Sequence, residues 1–284
     1  YAFSECTGLT TIKFGDKSNL ISIEHDAFQG CTNLTAANLD VNSKLEKIGS
    51  YAFKNCSSLT SINIPDSVTS IGADAFSKCS NLTSINIGAG IQEASWLPVN
   101  VTEITISISK DNPYLETDSK AIFAKANREL SVSIYISAET TYDIPSTVDD
   151  LSVTSIGESA FRSRSSLTSI TIPKSITSIG ESAFSGCSGL LSITIPDSVI
   201  SIGSHAFYNC SSLAEIVIPD GLTMINGNTF YNCTALVKVT IPNNVTSIGM
   251  QAFYECSSLI SVNIGSGVTN IGENAFSGCS GLLS

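Results

Sequence analysis

The 284-residue chain carries only 14% charged side chains, with a net charge of −11, while 42% of it is apolar. That balance excludes a disordered chain, which is richer in charge and poorer in apolar residues, and it speaks against a nucleic-acid-binding surface, which needs clustered Lys and Arg. The longest apolar runs are a handful of residues, far short of the ~20 that a membrane span requires.

In chain order, the opening Tyr1-Ala2-Phe3-Ser4-Glu5-Cys6 reads as the tail of a unit that then recurs. Units beginning at Leu9 and Leu34 are 25 residues long, with two extra residues between Leu9 and Leu20 and between Leu34 and Leu45. The unit from Leu59 is regular: Leu59-x-x-Ile62-x-Ile64-Pro65, then Val68-x-x-Ile71-Gly72, Ala75-Phe76 and Cys79. From about Gly88 to Val153 the pattern departs. Trp96-Leu97-Pro98 stands where Ala-Phe is expected, Val101-x-x-Ile104-x-Ile106 restores a strand pattern, and longer stretches follow through Tyr114, Ala121-Ile122-Phe123, Leu130 to Ile136 and Tyr142-Asp143-Ile144-Pro145. Regular units then start at Leu167, Leu190, Leu213, Leu236 and Leu259, and Phe161, Phe184, Phe207, Phe230, Phe253 and Phe276 fall 23 residues apart. A period of this length marks a solenoid, in which each coil buries its apolar side only by stacking on its neighbours. The prediction is a curved, elongated single domain over 1–284, with irregular or longer variant repeats at 88–153. Neither end carries a polar cap, so further coils are expected beyond both.

Within one unit, Leu-x-x-Ile-x-Ile ends in period-two alternation and predicts a short parallel strand with its Ile side chains inward. Pro stops the strand because it has no amide to extend a ladder. A second extended segment follows and is closed by Gly, assigned here the positive φ of a sharp corner. Ala-Phe-x-x-Cys predicts a short helical or 3-10 turn that brings Phe and Cys onto the core side.

The spacing of Ile-Pro, Ile-Gly, Ala-Phe and Cys in the unit from Leu59 and in the five from Leu167 onward resembles the leucine-rich repeats of the BspA-like type, named for bacterial surface antigen A. The resemblance implies a leucine-rich-repeat solenoid with one strand per ~23-residue coil. It also implies a secreted or cell-surface protein that adheres to host, matrix or other cell-surface proteins. The 88–153 stretch corresponds either to the longer variant unit of that family, where binding loops usually sit, or to a decayed repeat.

Nine cysteines, one per coil in a column with Arg164 in one place, predict a ladder of buried thiols rather than disulfides, and no Cys-x-x-Cys pair signals zinc. His25 and His205 lie in distant units and read as solvated loop residues, while Glu158, Glu181 and Glu273 form a surface row. Catalysis needs groups whose environments push their pKa values apart; a row of equivalent positions supplies none, so no enzyme, metal or cofactor is expected. The outward strand positions are small and uncharged, as in Thr168, Ser169 and Thr171, with Leu191, Val217, Val237 and Ile260 making the later rungs more apolar. Contact residues for a protein partner are expected at Tyr208, Tyr231 and Tyr254, which follow Phe in three consecutive coils, and at Trp96 and Tyr114, because aromatic residues dominate interface energetics. The Tyr column also reads as plain ladder packing. The competing function is self-association into a filament or surface layer.

Overall fold

The computed structural model describes residues 1–14, 18–39, 44–94, 96–97, 104–126, 129–135 and 137–283. Pro98, Val101 and Ile136 lie outside them. The chain divides into two compact units, Tyr1–Ala126 and Asn127–Ser284, and the boundary falls inside the irregular stretch.

Both units are parallel β-solenoids. In the first, Thr11–Lys13, Ala36–Asn38, Ser61–Asn63, Ser84–Ile87 and Thr105–Ile108 pair in parallel, with Ile62 over Ile85 and Ile85 over Ile106. In the second, Thr141–Asp143, Ser169–Thr171, Ser192–Thr194, Glu215–Ile216, Lys238–Ile241 and Ser261–Ile264 do the same, with Ile170 over Ile193 and Ile193 over Ile216. The alternation puts these Ile side chains inside and the Ser, Thr and Asn between them outside. Where the 23-residue spacing is kept, as from Ile62 to Ile85 and from Ile170 to Ile193, each residue sits over its equivalent; spacings of 25 (Ile12 to Ala37), 21 (Ile85 to Ile106) and 28 residues (Tyr142 to Ile170) keep the same strand register because the difference is taken up between the strands.

The second extended segment forms its own two-residue strands, such as Ser178–Ile179 and Ser201–Ile202. The Gly that ends it does not take positive φ; the positive-φ glycines are Gly30, Gly186 and Gly278. Gly is needed there for close approach instead. A Cβ on Gly203 would lie 2.4 Å from the Glu181 amide nitrogen, and one on Gly180 2.6 Å from that of Glu158. Asn226 occupies the same column, and its Nδ2 donates to the Ile202 carbonyl at 2.6 Å, where Gly203 uses its main-chain amide on Ile179. The second sheet breaks at that coil, so that Met224–Ile225 begins a new three-stranded sheet.

The expected helical turn at Ala-Phe-x-x-Cys is corrected: no helix occurs among the described residues, and a run of tight turns takes its place. Left-handed residues bracket each turn, for example Ser182 (φ 54°) and Gly186 (φ 75°), or His205 (φ 58°) and Asn209 (φ 57°), and a helix cannot continue through them. Alternate amides then point along the stack instead of back into the turn. Phe161 N–H donates to the Ala183 carbonyl at 2.7 Å and Ser163 N–H to the Ser185 carbonyl at 2.7 Å, and the pattern recurs coil by coil.

Phe rings fill the core behind these turns. In the first unit Phe3, Phe28, Phe53 and Phe76 stack at 5.2–5.4 Å, and in the second Phe161 through Phe276 stack at 5.0–5.4 Å with interplanar angles of 3–13°. Burying each of the inner rings, Phe28 to Phe76 and Phe161 to Phe253, stabilises its coil by about 2–3 kcal/mol, and offset stacking adds roughly another 1 kcal/mol. All nine cysteines are free, with Cys6 exposed and the others buried. Each buried thiol donates to the Phe carbonyl of the coil before it: Cys187 Sγ to Phe161 O at 3.0 Å, and Cys233 Sγ to Phe207 O at 3.2 Å. The column therefore favours a side chain that is small, apolar and still a weak donor.

The irregular stretch keeps the core with different residues. Trp96 tilts against Phe76 at 5.8 Å and takes the next place in that stack, while Tyr142 heads the second stack at 6.1 Å from Phe161. Leu115–Thr117 and Ala121–Ala126 form an antiparallel hairpin that buries Ala121, Ile122 and Phe123. Leu151–Ile156 carries on the second segment, after an antiparallel turn from Thr147–Val148 in which Asp149 and Asp150 are left-handed.

Candidate functional site

Tyr208, Tyr231 and Tyr254 form one half-exposed ladder on the turn side of the second unit. Each follows a buried Phe, so its side chain leaves the core where the Phe enters it. The main chain fixes the column: Gly186 N–H donates to the Tyr208 carbonyl at 2.7 Å, Asn209 N–H to that of Tyr231 at 2.9 Å and Asn232 N–H to that of Tyr254 at 2.7 Å. Ring centroids are 4.7 and 4.8 Å apart and the planes differ by 17° in both pairs, closer than the Phe rings behind them. The facing ring surfaces are thus used on each other. Beside the rings, Asn232 Nδ2 donates to Asn209 Oδ1 at 2.9 Å, and His205 flanks Tyr208 at 5.6 Å. Desolvation by its neighbours, reinforced by the nearby Tyr208, Tyr254 and Glu255, raises the pKa of Tyr231, which extends to more alkaline pH the range in which its hydroxyl is a donor. Ser185 and Ser277 hold the same column in the flanking coils and bound the aromatic stripe.

The other expected contact residues part company. Tyr114 is 40% exposed in the first unit, its amide held at 2.8 Å by Asn112 Oδ1. Trp96 is corrected: it is 2% exposed and its Nε1 donates to the Glu93 carbonyl at 3.0 Å, so it is a core residue with no face to offer. The signal was present in the sequence, since Trp96 stands where the buried Phe belongs.

The outer face of the main sheet is open and mostly Ser, Thr and Asn, with the exposed Val217 among them in the second unit. In the second unit it holds a shallow depression of about 640 Å³ lined by Ser169, Thr171, Lys174, Ser192, Thr194 and Asp197; in the first unit a smaller one of about 210 Å³ lies against Asn63, Asn86 and Ser107. Its Thr hydroxyls are partly committed to the fold, as Thr83 Oγ1 donates to the Thr60 carbonyl and Thr168 Oγ1 to that of Thr140. His25 is exposed and paired with the buried Asp26, while His205 belongs to the other unit. Among the described residues, no group of three or more His, Cys, Asp or Glu could hold a metal ion, and no helix is long and apolar enough to cross a membrane.

Known proteins share this architecture. A leucine-rich-repeat protein of Bacteroides ovatus is 26% identical, with a TM-score of 0.62 over 99% of this chain and 73% of that one. One from Eubacterium ventriosum, 22% identical, superposes with a TM-score of 0.67 over 92% and 82%. A leucine-rich cell surface protein of Faecalibacterium prausnitzii is 24% identical, with a TM-score of 0.53 over 97% and 78%. No curated protein matches. The model of the BspA-type leucine-rich repeat region, in six copies, matches residues 1–112 and 154–283, and so the chain belongs to the BspA-type leucine-rich-repeat family.

Proposed function

We propose that this chain is a non-enzymatic extracellular or cell-surface protein that binds other proteins through the exterior of its coils, with the Tyr208–Tyr231–Tyr254 ladder as the centre of contact. The observation that carries the reading is the ladder itself. Three stacked, half-exposed phenols interrupt a column that in the second unit is otherwise Ser or Arg162, and tyrosine gives large contact area at small entropic cost. The main chain already fixes the ladder, so little ordering remains to oppose binding. Tyr114 is a second candidate contact, in the first unit. Family membership and the cell-surface description of the Faecalibacterium neighbour support the location.

The test replaces all three tyrosines by Ser, the residue at positions 185 and 277. The variant should keep its circular-dichroism spectrum and cooperative melting, and binding to an array of purified host matrix and serum proteins should fall tenfold or more. Binding equal to that of the parent would remove the ladder from the function.

A further inference from the structure

Where the chain enters the main strands of the second unit, one residue before each strand begins, it carries an apolar column that its fold leaves uncovered. Leu191, Ala214, Val237 and Ile260 stack on consecutive rungs, joined by main-chain hydrogen bonds of 2.9–3.2 Å, and Leu191 and Ile260 are 57% and 48% exposed. The equivalent positions in the first unit, Thr60 and Thr83, are polar. One residue further along the strands, the exposed position is Glu215 on one middle rung and Lys238 on the next, in register with each other, with Ser192 and Ser261 outside them.

This pattern is its own complement. A two-fold axis along the strand direction, midway between the Glu215 and Lys238 rungs, sets Leu191 against Ile260 of a second copy and Ala214 against Val237. The same operation brings Glu215 opposite Lys238, twice. A two-fold axis along the stacking direction would bring Glu215 against Glu215 and Lys238 against Lys238, a like-charge arrangement that costs free energy. We infer that the second unit pairs face to face with another copy of this chain through the Leu191–Ala214–Val237–Ile260 column, in the isologous arrangement that the Glu215/Lys238 order selects. Four rungs at ~4.8 Å span roughly 15 Å, a patch smaller than the ~800 Å² per partner of a standard interface. A patch of this size makes the pairing weak. It involves neither the Tyr ladder nor the partner-binding reading above.

Sedimentation velocity of the whole chain from 1 to 500 µM tests it. The parent should shift from monomer to dimer across that range. Glu215→Lys and Lys238→Glu alone should each raise the dissociation constant at least tenfold by creating like-charge pairs. An equimolar mixture of the two variants should dimerise again, as should the double variant Glu215→Lys/Lys238→Glu, which also serves if one single variant misfolds. Parent protein that stays monomeric at 500 µM, single variants that dimerise like the parent, or a mixture and double variant that stay monomeric would overturn the proposal. A monomeric chain that captures a different protein on this face overturns it too.

Discussion

Asn112 holds the departure from the regular repeat in place with a side chain that is 2% exposed and fully bonded. Its Nδ2 donates to the Gly88 and Ile91 carbonyls at 2.9 Å, and its Oδ1 accepts the Tyr114 and Leu115 amides at 2.8 Å. Lys125 Nζ donates to its carbonyl at 3.0 Å and pairs with Glu116 at the same distance. One amide thus takes the place of four ladder hydrogen bonds where the strands stop being equivalent. Asn112→Ala strands four main-chain groups, and since each unsatisfied buried group costs about 1–3 kcal/mol before water relieves it, a net loss of about 2–4 kcal/mol is expected. The single Trp of the chain, Trp96, lies buried in the same unit and reports it. The urea midpoint followed by its fluorescence should fall, and Asn112→Asp should not rescue it, because a carboxylate oxygen would then face the two carbonyls. An unchanged midpoint in Asn112→Ala would show that the hub is dispensable. Nothing in the spacing around Asp111-Asn112-Pro113-Tyr114 distinguishes this Asn from a loop residue, because its partners at 88 and 91 are set by the fold.

At the level of the element, the Gly after the second segment shows both what the repeat reveals and what it hides. The recurrence of Ile71-Gly72, Ile179-Gly180, Ile202-Gly203, Ile248-Gly249 and Ile271-Gly272 announces a constraint, but two physical reasons produce the same letter. One is left-handed φ and the other is close approach, and the structure assigns the second. The left-handed sites carry Ser182, His205, Asn228 and Gln251 in one column and Gly186, Asn209, Asn232 and Glu255 in another, with no common letter to betray them. The Phe and Cys columns were legible because one residue type satisfies one requirement throughout. The turns were not, since the intercoil amides that replace a helix come from main-chain geometry. Gly203→Ala should therefore destabilise by about 1–3 kcal/mol, the range for forcing atoms into a packed site, because its Cβ would come within 2.4 Å of the Glu181 nitrogen and 2.7 Å of its Cα. By contrast Gly8, with nothing within 4 Å of the added atom, should accept Ala with a change below about 0.5 kcal/mol. Chemical denaturation of the two variants side by side separates close approach from a general dislike of losing Gly; equal effects would remove the distinction.

For the whole molecule, the thiol column couples stability to pH on the alkaline side. Burial pushes the thiols of Cys79, Cys187 and Cys233 up to about 12 and raises Cys56 and Cys210 as well, desolvation being the largest cause for all five. An unfolded thiol titrates near ~8.5. The folded pKa is the higher one, so the unfolded chain releases these protons first, and the stabilisation that is complete below pH ~8.5 is lost as pH rises toward about 12. Each such thiol contributes a slope of roughly 1 kcal/mol per pH unit within that window, so several of them, in both units, make unfolding above pH ~9 steep. Melting temperature should be nearly level from pH 7 to 8 and fall sharply from pH 9 to 11. Replacing Cys79, Cys187 and Cys233 by Ala lowers stability at neutral pH by removing their S–H donors, yet it should make the alkaline slope measurably shallower, because three of the thiols with raised pKa, a set that also includes Cys31, Cys56, Cys210 and Cys256, are gone. A triple variant with the parent's slope would place the alkaline sensitivity elsewhere, in the tyrosines or the net negative charge, and would reduce the thiols to simple packing atoms.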